Sequence, residues 1–146
     1  MENIMFIAPP AAGKGTISEM IEEKYKIPHI STGALLRDVS LRPDELGLQI
    51  KNIMEQGNLV EDSLTIKLIE DRIKQADCNN GYILDGFPRS VTQAELYDEL
   101  LQKLNKDLGF VILLEVDKEE AKKRITGRLS CSKCNKIYNI YNPEMA

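Results

Sequence analysis

Ala8-Pro9-Pro10-Ala11-Ala12-Gly13-Lys14-Gly15-Thr16 is the stretch on which the fold turns. Ahead of it, Ile4-Met5-Phe6-Ile7-Ala8 is continuously apolar, as in a strand with no wet face. Behind it, Ile17, Met20, Ile21 and Tyr25 recur every three or four residues, which predicts one apolar helix face. A strand, a tight turn ending in Gly-Lys-Gly-Thr and a helix form a cradle for phosphate. Backbone N–H groups of the turn and the helix start point inward, and the helix dipole favours negative charge there. Lys14 adds a full positive charge for the β and γ phosphates, and the Thr16 hydroxyl suits Mg²⁺. The strict form of such a loop has glycine where Ala8 stands and a hydroxyl residue directly after the lysine, where Gly15 stands. Ala11 occupies a place where close backbone approach is easiest for glycine. An ordinary strand-to-helix turn with a solvated Gly-Lys is the competing reading, so the rest of the chain decides.

Working outward, 146 residues are enough for one domain with a real core. A net charge of −4 leaves no electrostatic footprint for a nucleic acid polymer. There is no apolar run of membrane-spanning length and no signal-peptide pattern, so neither a membrane nor secretion is expected. Three cysteines, two of them as Cys131-x-x-Cys134, read as a reduced, cytoplasmic chain rather than a disulfide framework.

Short apolar strands are expected at Ile27–Ile30, Tyr82–Asp85 and Gly109–Val116, the last covered on both sides. Helices are expected between them: one capped by Ser31-Thr32-Gly33, one over residues 44–57, one carrying Ile66, Ile69 and Ile73, one capped by Thr92-x-x-Glu95 and one capped by Asp117-x-x-Glu120. The alternation predicts a doubly wound α/β domain with a parallel sheet. His29 reads as an ordinary strand residue, Met54 as core, and Cys78 carries no chemistry. Arg37 and Arg89 each follow a strand end, where ligands gather in open α/β sheets. Asp85, delivered at a strand tip, is what a Mg²⁺–nucleotide site needs. Arg124 and Arg128 share one side if their helix runs that far.

Together these residues resemble the adenylate kinases in their long-lid form. The resemblance rests on Gly-Lys-Gly-Thr, Ser31-Thr32-Gly33-x-Leu35-Leu36-Arg37, Asp85-Gly86-Phe87-Pro88-Arg89 with Gln93, Arg124-x-x-Gly127-Arg128 and the Cys-x-x-Cys hairpin. It implies a P-loop NTPase-type sheet with a helical AMP-binding insertion and a partial lid: core at 1–30 and 61–126, nucleoside-monophosphate subdomain at 31–60, lid at 127–146. It implies reversible transfer of a phosphoryl group from Mg–ATP to AMP. Gly13, Lys14, Gly15 and Thr16 would hold ATP phosphates, joined by Arg124 and Arg128. Thr32, Arg37, Met54, Gly57, Val60, Gly86, Arg89 and Gln93 match AMP positions, with Thr32 and Gln93 on the base and Arg37 and Arg89 on the phosphate. Lys14, Arg89, Arg124 and Arg128 would be catalytic, and Thr16 and Asp85 would serve Mg²⁺. Cys131 and Cys134 would be half of a structural zinc site.

The same likeness exposes departures. Besides Ala8 and Ala11, Ala34 replaces an aspartate and Asn139 stands where histidine is common. It also implies a chain incomplete after Ala146, lacking half the lid, two arginines, a strand and the closing helices; when complete, the enzyme is expected to be a monomer. Two lost charged hydrogen bonds, at about 1.5–3 kcal/mol each, would slow transfer roughly 10²- to 10⁴-fold. The 109–116 strand would then be an exposed apolar edge, with poor solubility. A UMP/CMP kinase is the rival within the class, disfavoured by Thr32 with Gln93; a non-catalytic nucleotide-binding module is the rival outside it.

Overall fold

The computed structural model describes residues 3–134 and 137–141. Four strands form a parallel sheet in the order β2-β3-β1-β4: β1 Ile4–Ile7, β2 His29–Ser31, β3 Ile83–Asp85 and β4 Phe110–Leu113. The pleat divides β1 between two cores. Met5, with Leu84 and Ile30, packs against Ile69 and Ile73 of α4 (Asp62–Ile73) and Leu100 and Leu101 of α5 (Val91–Leu104). Phe6 and Ile83 turn to the other face, where Ile17 and Ile21 of α1 (Lys14–Tyr25) cover them. Helices on both faces make the sheet doubly wound. Burial of Ile83 and Leu84, both 0% exposed, contributes about 1.5–3 kcal/mol each.

Between β2 and β3 the chain builds a helical insertion. α2 (Thr32–Ser40) is capped by Ser31, whose hydroxyl accepts from Ala34 N, and α3 (Glu45–Glu55) by Asp44, which accepts from Gly47 N. Val39, Ile50 and Leu68 join α2, α3 and α4 in a third cluster. A short 3₁₀ turn, Ala76–Cys78, precedes β3. α6 (Lys118–Thr126) follows β4 and buries no residue fully. Beyond Gly127, β5 (Arg128–Ser130) and β6 (Ile137–Asn139) pair as an antiparallel hairpin.

Several local expectations need correction. Met20 and Tyr25 are exposed, so only Ile17 and Ile21 of the α1 stripe reach the core. Met54 is also exposed, beside Leu48 and Lys51 in a shallow groove, because α3 turns its Ile50 face to α2 and α4. The α5 cap is Ser90, two residues before Thr92: its hydroxyl accepts from Gln93 N. β4 is an edge strand with Phe110, Val111 and Leu113 exposed, which departs from two-sided cover and agrees with the exposed apolar edge. α6 stops at Thr126, so Arg128 lies in the hairpin and not on the helix face of Arg124. Asn142 and Pro143 of the expected lid lie outside the described residues.

Candidate functional site

Gly13 opens the site. It has φ +86°, a left-handed conformation cheap only for glycine, and the helix that starts at Lys14 has no side chain capping its first turn. Those N–H groups are therefore available to an anion, on the positive end of a twelve-residue helix. The side chain of Lys14 reaches across to β3, where Nζ lies 2.5 Å from Asp85 Oδ1. The parallel register explains the meeting: Phe6 on β1 and Ser31 on β2 both stand opposite Asp85, so the strand tips converge on one carboxylate.

Asp85 is 8% exposed and holds a second partner, His29, whose Nε2 is 2.9 Å from Oδ2. Burial alone would push the Asp85 carboxyl up. Hydrogen bonds from His29 and Lys14, with the lysine's charge, outweigh that and hold it below the ordinary carboxylate range. His29 thus belongs to the site. Its position two residues before Ser31, in register with Ile83, was its only signal, and that needs the strand pairing to be known.

Arg124, in the last turn of α6, closes the loop from the other side. Its Nη1 donates to the Ala11 carbonyl at 3.3 Å, and its Nε donates to Glu120 at 2.9 Å. Asn139 anchors the hairpin beneath it by donating Nδ2 to the Arg124 carbonyl at 3.0 Å. Gly127 has no room for a side chain there, since a Cβ would lie 2.4 Å from Asn139 Oδ1 and 2.9 Å from the Lys123 carbonyl.

A second group gathers beyond the β3 tip. Gly86 turns the chain at φ +80°, and a Cβ on it would lie 3.0 Å from Thr32 Oγ1 and 3.1 Å from Arg89 Nη2. The Gly86 carbonyl accepts from Thr32 Oγ1 at 3.2 Å and from Arg89 Nε at 2.8 Å. Phe87 anchors this turn in the core, its ring edge-on to Tyr97 with centroids 6.0 Å apart, and Tyr97 shares a 2.7 Å hydroxyl contact with Tyr82. Gln93 accepts the Arg89 backbone N–H at 2.7 Å and donates to Asp62 at 2.7 Å. Arg37 lies along the first turn of α2, its Nη1 3.5 Å from where a Gly33 Cβ would sit.

Residues 6–145 match the family model described as adenylate kinase. The chain belongs to the adenylate kinase family. It is 49% identical over 138 residues to the adenylate kinase of Thermosipho africanus, covering 94% of this chain and 64% of that protein. With the adenylate kinase of Archaeoglobus fulgidus it shares 47% over 142 residues, 97% of this chain and 65% of the relative. The chain therefore spans a little under two thirds of the length of the relatives it matches.

Other residues suggested by the adenylate kinase resemblance are not drawn into either group. Gly15 and Thr16 are exposed at the start of α1, with open space around Gly15. Met54 and Gly57 are exposed near the end of α3, Gly57 at φ +72°, and Val60 is half-buried in the connection to α4. Arg128 is exposed in β5. Cys131 and Cys134 sit in the hairpin as free thiols, and backbone N–H groups of Lys133 and Cys134 lower the Cys131 thiol from its ordinary value. Among the described residues no group of three or more His, Cys, Asp or Glu is placed to hold a metal ion. No described helix is long and apolar enough to cross a membrane.

Proposed function

We propose that this chain carries the nucleotide sites of an ATP:AMP phosphotransferase, which moves the γ-phosphoryl group of ATP reversibly onto AMP to give two ADP. The observation that carries the reading is the contact of Lys14 with Asp85 beside the loop that Arg124 touches, next to the Thr32–Gly86–Arg89 group. The ATP phosphates lie on the N–H groups of Gly13 to Thr16, with Lys14 leaving Asp85 for the β and γ oxygens. Arg124 and Arg128 bind the phosphoryl group in transit. AMP lies with its phosphate on Arg37 and Arg89 and its base on Thr32 and Gln93, walled by Met54, Gly57, Val60 and Gly86.

No general base is required, because a phosphate monoester with a second pKa of about 6 is mostly ionised at pH 7. The residues act by alignment and by neutralising charge: the bond from the γ phosphorus to the β,γ-bridging oxygen breaks as one to an AMP oxygen forms. Asp85 and Thr16 offer the hard oxygen donors that fit Mg²⁺, and the low pKa of Asp85 keeps it ionised. Bound with ATP, the ion supplies neutralisation of the phosphate charge. Residues 31–60 act as a mobile subdomain and the segment from 127 as part of a lid that keeps water from the transferring group. Three free thiols suit a cytoplasmic setting, and a complete protein of this kind works as a monomer.

The test is calorimetric titration of the chain with ATP, AMP, UMP and CMP, with and without Mg²⁺, beside coupled assay of ADP formation. AMP and ATP binding that Lys14→Met and Arg89→Ala each weaken by about tenfold or more supports the reading. Preference for a pyrimidine monophosphate would replace AMP as acceptor, and absence of nucleotide binding would end the proposal.

A further inference from the structure

Gln93 is held by two partners of opposite kind. Nε2 donates to Asp62 Oδ1 at 2.7 Å, and Oε1 accepts the backbone N–H of Arg89 at 2.7 Å. A primary amide has two N–H donors and two oxygen lone pairs, so this arrangement uses one of each and leaves one of each. The partners also forbid the inverted amide. Turned over, the oxygen would face a carboxylate with no proton to give, and the amino group would face an N–H. Two hydrogen bonds would become two repulsions.

The clamp is rigidly mounted. Asp62 is the first residue of α4 and Gln93 lies in the first turn of α5, with the two helices joined through Ile69, Ile73, Tyr97, Leu100 and Leu101 in the main core. The backbone N–H of Arg89 fixes the oxygen end, but a single hydrogen bond still allows the amide to swing. Asp62 removes that freedom by holding the nitrogen end.

We infer that Asp62 is a positioning residue for base selection. By fixing the amide of Gln93 it leaves one donor and one acceptor in a set order. That order suits an aminopurine edge, where a ring-nitrogen acceptor adjoins an exocyclic amine donor. An oxopurine edge, with a ring N–H beside a carbonyl, presents the reverse order and is rejected. The inference deepens the reading of Gln93 as a base contact and rests on it.

Equilibrium binding of AMP and of IMP to the chain, to Asp62→Ala and to Asp62→Asn decides the matter. Both variants lose the negative charge at the start of α4, so any effect of that charge on the helix is common to them. Only Asn keeps an oxygen to accept from Nε2. The AMP-over-IMP affinity ratio is expected to fall about tenfold in Asp62→Ala and to stay within about threefold of the unmodified chain in Asp62→Asn, with ATP affinity unchanged in both. If Asp62→Ala binds AMP with the ratio intact, or if both variants lose it equally, Asp62 has no such role and the nucleotide reading stands. If the unmodified chain binds no AMP, that reading falls and takes this inference with it.

Discussion

Ala11 has φ +62°, inside the phosphate loop, where an L-residue carries a Cβ too close to the following carbonyl. The left-handed conformation costs such a residue about 1–2 kcal/mol, against about 0.4–1 kcal/mol gained by restricting the unfolded chain. Ala11→Gly is therefore expected to stabilise the protein by about 0.5–1 kcal/mol in urea unfolding; a lower midpoint would show that the loop tolerates the methyl. Asp85 gives a pH signature. Its folded pKa lies below the ordinary 3.8, so its stabilising contribution is complete above that value and is lost as pH falls through the lowered one. The stability gap between the unmodified chain and Asp85→Asn should be flat above about pH 5 and narrow below pH 4. A gap that stays constant to pH 3 would contradict the pairing with Lys14 and His29.

At the scale of elements, helix starts and glycine turns set the positions of the site. Ser90, not Thr92, caps α5, and Gln93 completes the turn by accepting the Arg89 N–H. Ser90→Ala should cost about 1 kcal/mol and Thr92→Ala a few tenths, measured by thermal unfolding. Equal losses would mean that the helix begins later than described. Gly109 leads into β4 at φ +76°, with its Cα so close to β1 that a Cβ would lie 2.1 Å from the Asn3 carbonyl. Gly109→Ala should cost more than about 2 kcal/mol, because strain at positive φ adds to a backbone clash that no rotamer change relieves. A near-neutral result would place the β1–β4 connection elsewhere.

For the whole molecule, the decisive feature is the asymmetry of the sheet. β3 and β1 are central, β3 buried throughout and β1 at Met5 and Phe6, whereas β4 ends the sheet with Phe110 at 59%, Val111 at 47% and Leu113 at 62% exposure. An apolar edge with free backbone donors and acceptors invites pairing with another copy. Val111→Lys should lower self-association, seen as a sedimentation profile less dependent on concentration, with unfolding changed by less than about 1 kcal/mol. Unchanged association would shift suspicion to the exposed Ile125 and Leu129 of α6 and the hairpin.

Residue order alone determined much of this. Apolar runs of four or five residues, separated by amphipathic stretches of three-to-four spacing, specify parallel strands and covering helices because backbone hydrogen bonds and apolar burial must be satisfied together. The Gly-Lys-Gly-Thr turn, the Asp-Gly-Phe-Pro-Arg block and the Ser-Thr-Gly cap were legible for the same reason: each is local chemistry. What stayed hidden depends on which strands lie side by side and which helix ends meet. Register brought His29 onto Asp85, the packing of α4 on α5 brought Asp62 onto Gln93, and the end of α6 at Thr126 parted Arg128 from Arg124. Partners 56 and 31 residues apart leave no periodic trace along the chain, since their contact is set by the sheet and core that carry them.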